Sequence, residues 1–124
     1  MSTIFTKIIA GEIPSYKIYE DDKTFAFLDI FPKSPGHTLV VPKIEVDKIY
    51  DLPDDFYHAM WDTAKKLARN YENILGKRIF FKVIGTDVPH THIHIIPQDE
   101  DYTPEGKKAD EAELSAMQAK LTML

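Results

Sequence analysis

Residues 90–97 read His90-Thr91-His92-Ile93-His94-Ile95-Ile96-Pro97, three histidines at alternate positions followed by an apolar run. Successive side chains of an extended strand point to opposite faces, so the three histidines would line one face at intervals of about 7 Å. Imidazole titrates near neutrality and acts as a nucleophile, proton carrier or metal ligand, and burying three of them without such a task costs desolvation free energy. The spacing therefore indicates a reaction site on a β-strand; hydrogen-bonded core histidines are the alternative.

The composition is that of one small folded domain. A chain of 124 residues with 44% hydrophobic content can bury one core, so we expect a single domain over residues 1–124. The chain has no cysteine, which excludes disulfides and thiolate metal sites. No apolar stretch approaches the roughly 20 residues that span a bilayer, and the first residues lack a secretory pattern. We therefore expect a cytoplasmic protein without a membrane partner.

The charge balance argues against a nucleic-acid partner. Fifteen Lys and Arg against twenty Asp and Glu give a formal net charge of -5, so the overall field repels polyanions. The basic residues are dispersed along the chain, and a solvated surface is sufficient to explain them.

Hydrophobic periodicity predicts an α+β fold with about five mostly antiparallel strands, one long helix and short terminal helices. We predict strands at residues 16–20, 24–29, 38–41, 78–84 and in the histidine run, and helices at 3–10, 53–75 and 110–121. Residues 85–89 suit a hairpin loop that pairs the last two strands antiparallel. Residues 98–109 are polar and are predicted to form a mobile surface connector.

The long helix has clear end signals and one apolar face. Pro53 suits the first turn, acidic residues follow it, and Gly76 ends the helix. His58 is predicted to be a surface residue. The side chains predicted to share the buried face are Phe56, Met60, Ala64, Leu67, Tyr71 and Ile74.

Four separated segments together resemble one protein family, the histidine triad (HIT) family. They are Ile4-Phe5-Thr6-Lys7-Ile8-Ile9 with Gly11-Glu12-Ile13-Pro14, Phe27-Leu28-Asp29-Ile30, Pro35-Gly36-His37-Thr38-Leu39-Val40-Val41-Pro42, and the histidine run. The length and layout are most similar to the branch of small nucleoside phosphoramidases. The resemblance implies a homodimer whose sheets join and a purine nucleotide or nucleotide conjugate as the ligand, with no cofactor.

The resemblance also implies a role for each histidine. His92 would attack the α-phosphorus of a nucleotide conjugate and form a nucleotidyl-histidine that water hydrolyses. A neutral imidazole attacks an anionic phosphorus centre without charge repulsion and becomes a good leaving group once phosphorylated. His94 would donate to a phosphate oxygen, His90 would fix the local hydrogen bonds, and His37 would complete the relay.

The nucleotide-binding residues implied by the resemblance come from three places in the chain. Phe5, Ile8 and Ile30 would surround the base, and Asp29 would accept hydrogen bonds from the ribose hydroxyls. Gly85 would let backbone N–H groups approach the phosphate, although an ordinary turn glycine is the alternative.

Two departures from the family pattern affect the expected site. Thr3 and Thr6 stand where many relatives carry a cysteine pair, so we predict that the structural zinc of those relatives is missing and that no metal is bound. Thr86-Asp87 replaces the usual residues after Gly85, and a carboxylate at Asp87 near phosphate weakens binding unless it is neutralised or hydrogen-bonded.

Two other functions remain open from the sequence. Alternating histidines on a strand also ligate zinc or another divalent ion, which would make the protein a metal-dependent hydrolase. The altered loop at Thr86-Asp87 would also suit a nucleotide-binding module with weak catalysis.

Overall fold

Three helices and five strands make up the computed structural model, which describes residues 3–85 and 88–123. In chain order the elements are α1 (Ile4–Ile9), β1 (Lys17–Glu20), β2 (Thr24–Leu28), β3 (Thr38–Pro42), a 3-10 turn (Ile49–Asp51), α2 (Asp54–Leu75), β4 (Ile79–Lys82), β5 (Ile93–Pro97) and α3 (Glu111–Leu121). The strands form one sheet in the order β1-β2-β3-β5-β4, and every pair is antiparallel. The α+β prediction is confirmed, including the antiparallel pairing of the last two strands.

The central strands are buried because helices cover both faces of the sheet. Every residue of β2, β3 and β5 is buried. Alternate residues point to opposite faces, so Ala26 and Leu28 pack in the larger cluster with α2 and α3, whereas Phe25 and Phe27 pack in a smaller cluster with α1. This two-sided burial explains why the strand sequences are nearly continuous apolar runs.

The ends of the helices follow the sequence signals. The Thr3 hydroxyl caps α1 by accepting from the Thr6 N–H, and Asp110 caps α3 by accepting from the Glu113 N–H. Gly76 ends α2 in the left-handed conformation at φ 67°. None of the helices in the described ranges is long and apolar enough to cross a membrane.

Helix α2 differs from the prediction at its last turn. Met60, Ala64, Leu67 and Tyr71 are buried as expected, but Ile74 is exposed and Leu75 packs against the core instead. Leu75 lies four residues after Tyr71, so it continues the buried stripe and Ile74 falls beside it.

The histidine run is only partly a strand, which corrects the prediction. β5 begins at Ile93, so His90 and His92 lie in the segment that precedes it. Two interactions hold that segment outside the ladder: the Thr91 N–H donates to the Val46 carbonyl at 2.7 Å, and His92 Nδ1 bonds the His90 carbonyl at 2.9 Å. β4 is correspondingly shorter than predicted, because its ladder with β5 ends at the Lys82 and His94 pair.

The connector at residues 98–109 is tied to the loop before β3. The Thr103 N–H donates to the Lys33 carbonyl at 2.7 Å, and the Ala109 N–H donates to the Ile30 carbonyl at 3.1 Å. We expected a mobile surface segment; its side chains are largely exposed, but these bonds hold its backbone in place. Gly106 makes the close approach possible, since a Cβ there would collide with the Phe31 carbonyl oxygen.

Gly106→Ala should therefore destabilise the protein more than Gly76→Ala. Both glycines have positive φ, and the left-handed conformation costs an alanine about 1–2 kcal/mol at either position. A Cβ at Gly76 meets nothing within 4 Å, whereas at Gly106 it adds the collision with Phe31. Urea denaturation of the two variants tests this, and equal losses in the free energy of unfolding would contradict it.

Candidate active site

Four histidines from two parts of the chain gather on the α1 side of the sheet. His94 lies in β5 directly opposite Leu39, a member of the α1-side cluster, so the two side chains share that face. His37 immediately precedes β3, and its ring bonds that of His94. The Phe5 ring of α1 lies edge-on to His90 and His92, with centroids 5.7 and 5.0 Å away. All four imidazoles are at most 8% exposed.

The ring of His92 is oriented by the backbone. Its Nδ1 lies 2.9 Å from the His90 carbonyl oxygen. A carbonyl oxygen only accepts, so Nδ1 carries the proton, and in the neutral ring Nε2 keeps its lone pair. His92 is therefore held in the tautomer in which Nε2 is the nucleophilic atom.

The ring of His90 is held at both nitrogens. Its Nε2 lies 2.9 Å from the Pro42 carbonyl oxygen and must be the donor there. Its Nδ1 lies 2.8 Å from the Thr3 hydroxyl, which donates to it when the ring is neutral. Burial lowers the pKa of His90, and this favours the neutral ring.

His37 and His94 form a proton-ordered pair. The Lys33 N–H donates to His37 Nδ1 at 3.0 Å, so Nδ1 is unprotonated and the proton of the neutral ring is on Nε2. His37 Nε2–H then donates to His94 Nδ1 at 2.9 Å, which places the proton of neutral His94 on Nε2. Burial lowers the pKa of His37 to about 3, so the His37 ring stays neutral at physiological pH.

Asp29 lies at the end of β2 beside this pair. Its Oδ1 accepts from the Phe31 N–H at 2.8 Å, and its Oδ2 is 3.7 Å from His37 Nε2, too far for a hydrogen bond. Burial raises the pKa of Asp29. The side chain is partly exposed, so its oxygens can accept hydrogen bonds from a ligand.

One group of side chains in the described ranges could hold a divalent ion. Ligand atoms of Asp29, His37 and His94 all lie within 4.8 Å of one another. His37 Nε2 and His94 Nδ1 are joined by the N–H···N bond, however, and an ion would have to break that bond to use both lone pairs. The donor set fits a hydrogen-bonded pair of histidines better than a preformed metal site, and we call this His37 and His94 pair the relay.

The predicted base-binding residues differ in their surroundings. Phe5 and Ile8 are buried in the α1-side cluster, whereas Ile30 is 44% exposed. Gly85 is exposed, and a Cβ there would meet nothing within 4 Å, so its predicted role at the phosphate stays a prediction. Asp87 and Thr86 lie outside the described residues. His58 is exposed, as predicted.

Three contributions to the site were not predicted from the sequence. Phe27 packs edge-on against Phe5 at 5.7 Å and extends the apolar wall. The Lys33 N–H sets the tautomer of His37. The sequence places Thr3 only at the start of the first predicted helix and at the position of a cysteine in relatives, yet its hydroxyl bonds His90 across 87 positions of sequence. No local pattern signals such a contact.

Known proteins share both the sequence and the fold. A HIT domain model matches residues 10–101. An uncharacterised HIT-like protein of Methanocaldococcus jannaschii is 44% identical over 104 residues, which are 78% of this chain and 79% of that protein. An adenosine 5'-monophosphoramidase of Saccharomyces cerevisiae is 39% identical over 102 residues, 79% of this chain and 63% of its own length.

Among solved structures, a HIT-like protein of Bartonella henselae has a TM-score of 0.87 at 31% identity, and the match covers 97% of this chain and 93% of that one. The family resemblance drawn from four sequence segments is thereby confirmed. The chain belongs to the HIT family.

Proposed function

We propose that this protein is a nucleotide-binding hydrolase that cleaves nucleoside phosphoramidates, or related nucleotide conjugates, at the α-phosphorus through a nucleotidyl-His92 intermediate. The observation that carries the proposal is the bond from His92 Nδ1–H to the His90 carbonyl. It fixes the lone pair on Nε2, the atom that must attack. The similar yeast protein is named for hydrolysis of a substrate of this class.

The first step forms one bond and breaks another. His92 Nε2 donates its lone pair to phosphorus, and the bond from phosphorus to the leaving nitrogen breaks with its electron pair remaining on that nitrogen. The nitrogen takes up a proton from solvent and departs as an amine. A neutral nucleophile approaches the anionic phosphoryl oxygens without repulsion. Water then attacks phosphorus and loses a proton to solvent, and the phosphorus–Nε2 bond breaks with its electron pair returning to Nε2. The nucleoside monophosphate and neutral His92 are released.

The His37 and His94 pair acts as a hydrogen-bond donor in this scheme. Because His94 carries its proton on Nε2, that N–H stabilises negative charge on a phosphoryl oxygen or on the leaving atom. His37 Nε2–H holds the tautomer of His94, and the Lys33 N–H holds that of His37. A backbone amide thus sets the direction of every proton in the relay.

Binding of the nucleoside is assigned to residues around the relay. The buried rings and side chains of Phe5, Phe27 and Ile8 provide an apolar wall for a purine base, with Ile30 at its exposed rim. Asp29 accepts from the ribose hydroxyls, and Gly85 and Asp87 are assigned to the phosphate side.

We further propose a homodimer in which the edge of β4 meets the same edge of a second copy. In the described part of the chain β4 pairs with β5 alone, so its outer backbone groups are open to another strand. Phe81 of β4, and Val83 and Ile84 just after it, are large apolar side chains at least 37% exposed. A self-complementary apolar edge suits a two-fold interface. The single domain over residues 1–124 and the cytoplasmic location stay predictions of the sequence.

Replacing His92 by Asn should abolish turnover of an adenosine phosphoramidate, with kcat falling about a thousandfold or more, because the attacking lone pair is removed. Mass spectrometry of wild-type protein quenched during turnover should find a nucleotidyl adduct on His92. His58→Asn is the matched control, since His58 is an exposed histidine of α2, and it should keep the wild-type rate.

Three results would count against this reaction. Unchanged turnover in His92→Asn would show that another group attacks. Nucleotide binding without turnover or adduct would favour a binding module. Turnover that is lost to chelators, again without adduct, would favour a metal-dependent hydrolase.

The buried neutral His37 should make stability fall on acidification. Its folded pKa of about 3 lies below the unfolded value of 6.5, so the unfolded chain binds more protons between these values and stability is lost as the pH falls. From pH 7 to pH 5 this one group should cost about 2 kcal/mol of unfolding free energy. Urea denaturation at pH 7 and pH 5 should show that the free energy of unfolding falls less in His37→Gln than in His58→Gln. Equal falls in the two variants would contradict the assignment.

The proposed dimer should dissociate when the β4 edge is charged. Phe81→Asp places a carboxylate in the proposed contact, and burying an unpaired charge there is unfavourable. Sedimentation at micromolar concentration should show a dimer for wild type and a monomer for this variant. Tyr50→Asp is the control, because Tyr50 is 75% exposed in the 3-10 turn. A wild-type monomer would refute the proposal.

A further inference from the structure

A chain of hydrogen bonds runs from the exposed carboxylate of Glu45 through the start of α1 to the ring of His90. Glu45 Oε1 accepts from the Thr3 N–H at 2.8 Å and from the Thr6 hydroxyl at 2.5 Å. Thr3 Oγ1 lies 3.2 Å from Thr6 Oγ1 and 2.8 Å from His90 Nδ1. Three segments that are distant in sequence are joined through side-chain oxygens.

The direction of each proton in this chain follows from its two ends. The Pro42 carbonyl requires a proton on His90 Nε2, so His90 Nδ1 of the neutral ring accepts from the Thr3 hydroxyl. At the other end, the Thr6 hydroxyl donates to Glu45, and this bond lowers the pKa of the Glu45 carboxyl. The Thr6 hydroxyl proton is committed to Glu45 and the Thr3 hydroxyl proton to His90, so no proton lies between the two hydroxyl oxygens. The two threonines are instead linked by the Thr6 N–H, which donates to Thr3 Oγ1 at 3.1 Å, and by Glu45, which accepts from both residues.

The chain reaches His92 through the backbone of His90. A ring fixed at both nitrogens limits rotation of the residue that carries it, and the carbonyl of that residue accepts from His92 Nδ1–H. The same chain anchors α1, which has six residues and would be marginal as an isolated helix. Phe5 of that helix contacts the rings of both His90 and His92.

We propose that Glu45, Thr6 and Thr3 are positioning residues that act through His90 to hold His92 in its reactive tautomer. None of the three needs to touch the substrate. The catalytic part of this inference rests on the proposed function, since it assumes that His92 is the nucleophile. The structural part, that these three residues hold the tautomer of His92 through His90, does not depend on which reaction the site performs.

The decisive comparison is between Thr3→Val and Thr3→Ser. Valine has nearly the shape of threonine but no hydroxyl, whereas serine keeps the hydroxyl that caps α1 and donates to His90. With an adenosine phosphoramidate, we expect Thr3→Val to lower kcat about tenfold with KM within about twofold, because such supporting bonds act on the reacting group rather than on substrate affinity. Thr3→Ser should stay within about twofold of wild type in both constants.

A second variant and a control separate positioning from general stability. Thr6→Val removes the hydroxyl that donates to Glu45 but keeps the Thr6 N–H that donates to Thr3 Oγ1, so it loosens the anchoring carboxylate without uncapping α1. It should also lower kcat, and it serves as the test if Thr3→Val does not fold. Asp110→Ala removes the corresponding cap of α3, where Asp110 accepts from the Glu113 N–H at 2.8 Å. It should lower the melting temperature without changing kcat.

The tautomer of His92 can be read directly by ¹⁵N NMR of the imidazole nitrogens. In wild type, Nδ1 of His92 should have the shift of a protonated nitrogen and Nε2 that of an unprotonated one. In Thr3→Val and Thr6→Val the two shifts should move toward each other as the second tautomer becomes populated, and Thr3→Ser should restore them.

The outcomes are distinguishable from failure of the proposed function. If wild type does not turn over the phosphoramidate, the proposed reaction fails, and the NMR comparison still decides whether the chain orients His92. Unchanged His92 shifts in both valine variants would overturn the inference. An equal loss of kcat in Thr3→Val and Thr3→Ser would also overturn it, since the shape of the side chain rather than the hydroxyl would then matter. The same loss of kcat in Asp110→Ala would overturn it too, because general stability would then explain the effect.

Discussion

Buried imidazoles need a protein partner for each polar nitrogen, and this requirement organises the site. The four rings are at most 8% exposed, so water supplies few of their hydrogen bonds. At least six of the eight ring nitrogens have partners, and a carbonyl group or a backbone N–H stands at one end of each chain of bonds. Because a carbonyl only accepts and an amide only donates, these ends leave one tautomer for each neutral ring. The position of the lone pair on His92 follows from the backbone.

The sheet provides the rigid support that this ordering requires. β2, β3 and β5 are covered by α2 and α3 on one face and by α1 on the other, so their backbones cannot shift without opening a core. His94 and Leu39 are neighbours across the β3 and β5 ladder, and His37 is one residue from that ladder. The relay is therefore attached to strands that are buried on both faces, whereas His90 and His92 depend on side-chain and loop bonds for their placement.

Patterns within single segments predicted most of the fold, because α2, β2 and β3 each have one dominant periodicity and recognisable end residues. The start of β5 could not be predicted in the same way. His92 prefers a bond to the His90 carbonyl over a place in the ladder, and such competition between side chain and backbone does not show in a hydropathy pattern. The four histidines and Asp29 were predicted as site residues from motif and resemblance. The contact of Thr3 with His90 was not, since it depends on how α1 docks in three dimensions.

The loop between β2 and β3 joins the residue assigned to the ribose to the residue that orients the relay. Asp29 and His37 flank this loop, and the Asp29 N–H donates to the His37 carbonyl at 2.9 Å. The residue assigned to the ribose and the residue that orients the relay are therefore joined by one backbone hydrogen bond. Under the proposed function, a ribose that displaced Asp29 would also displace the residue whose ring bonds His94, so ribose recognition and placement of the proton donor would depend on the same hydrogen bond. In such an arrangement, discrimination between sugars is expressed in the rate of the chemical step as well as in affinity.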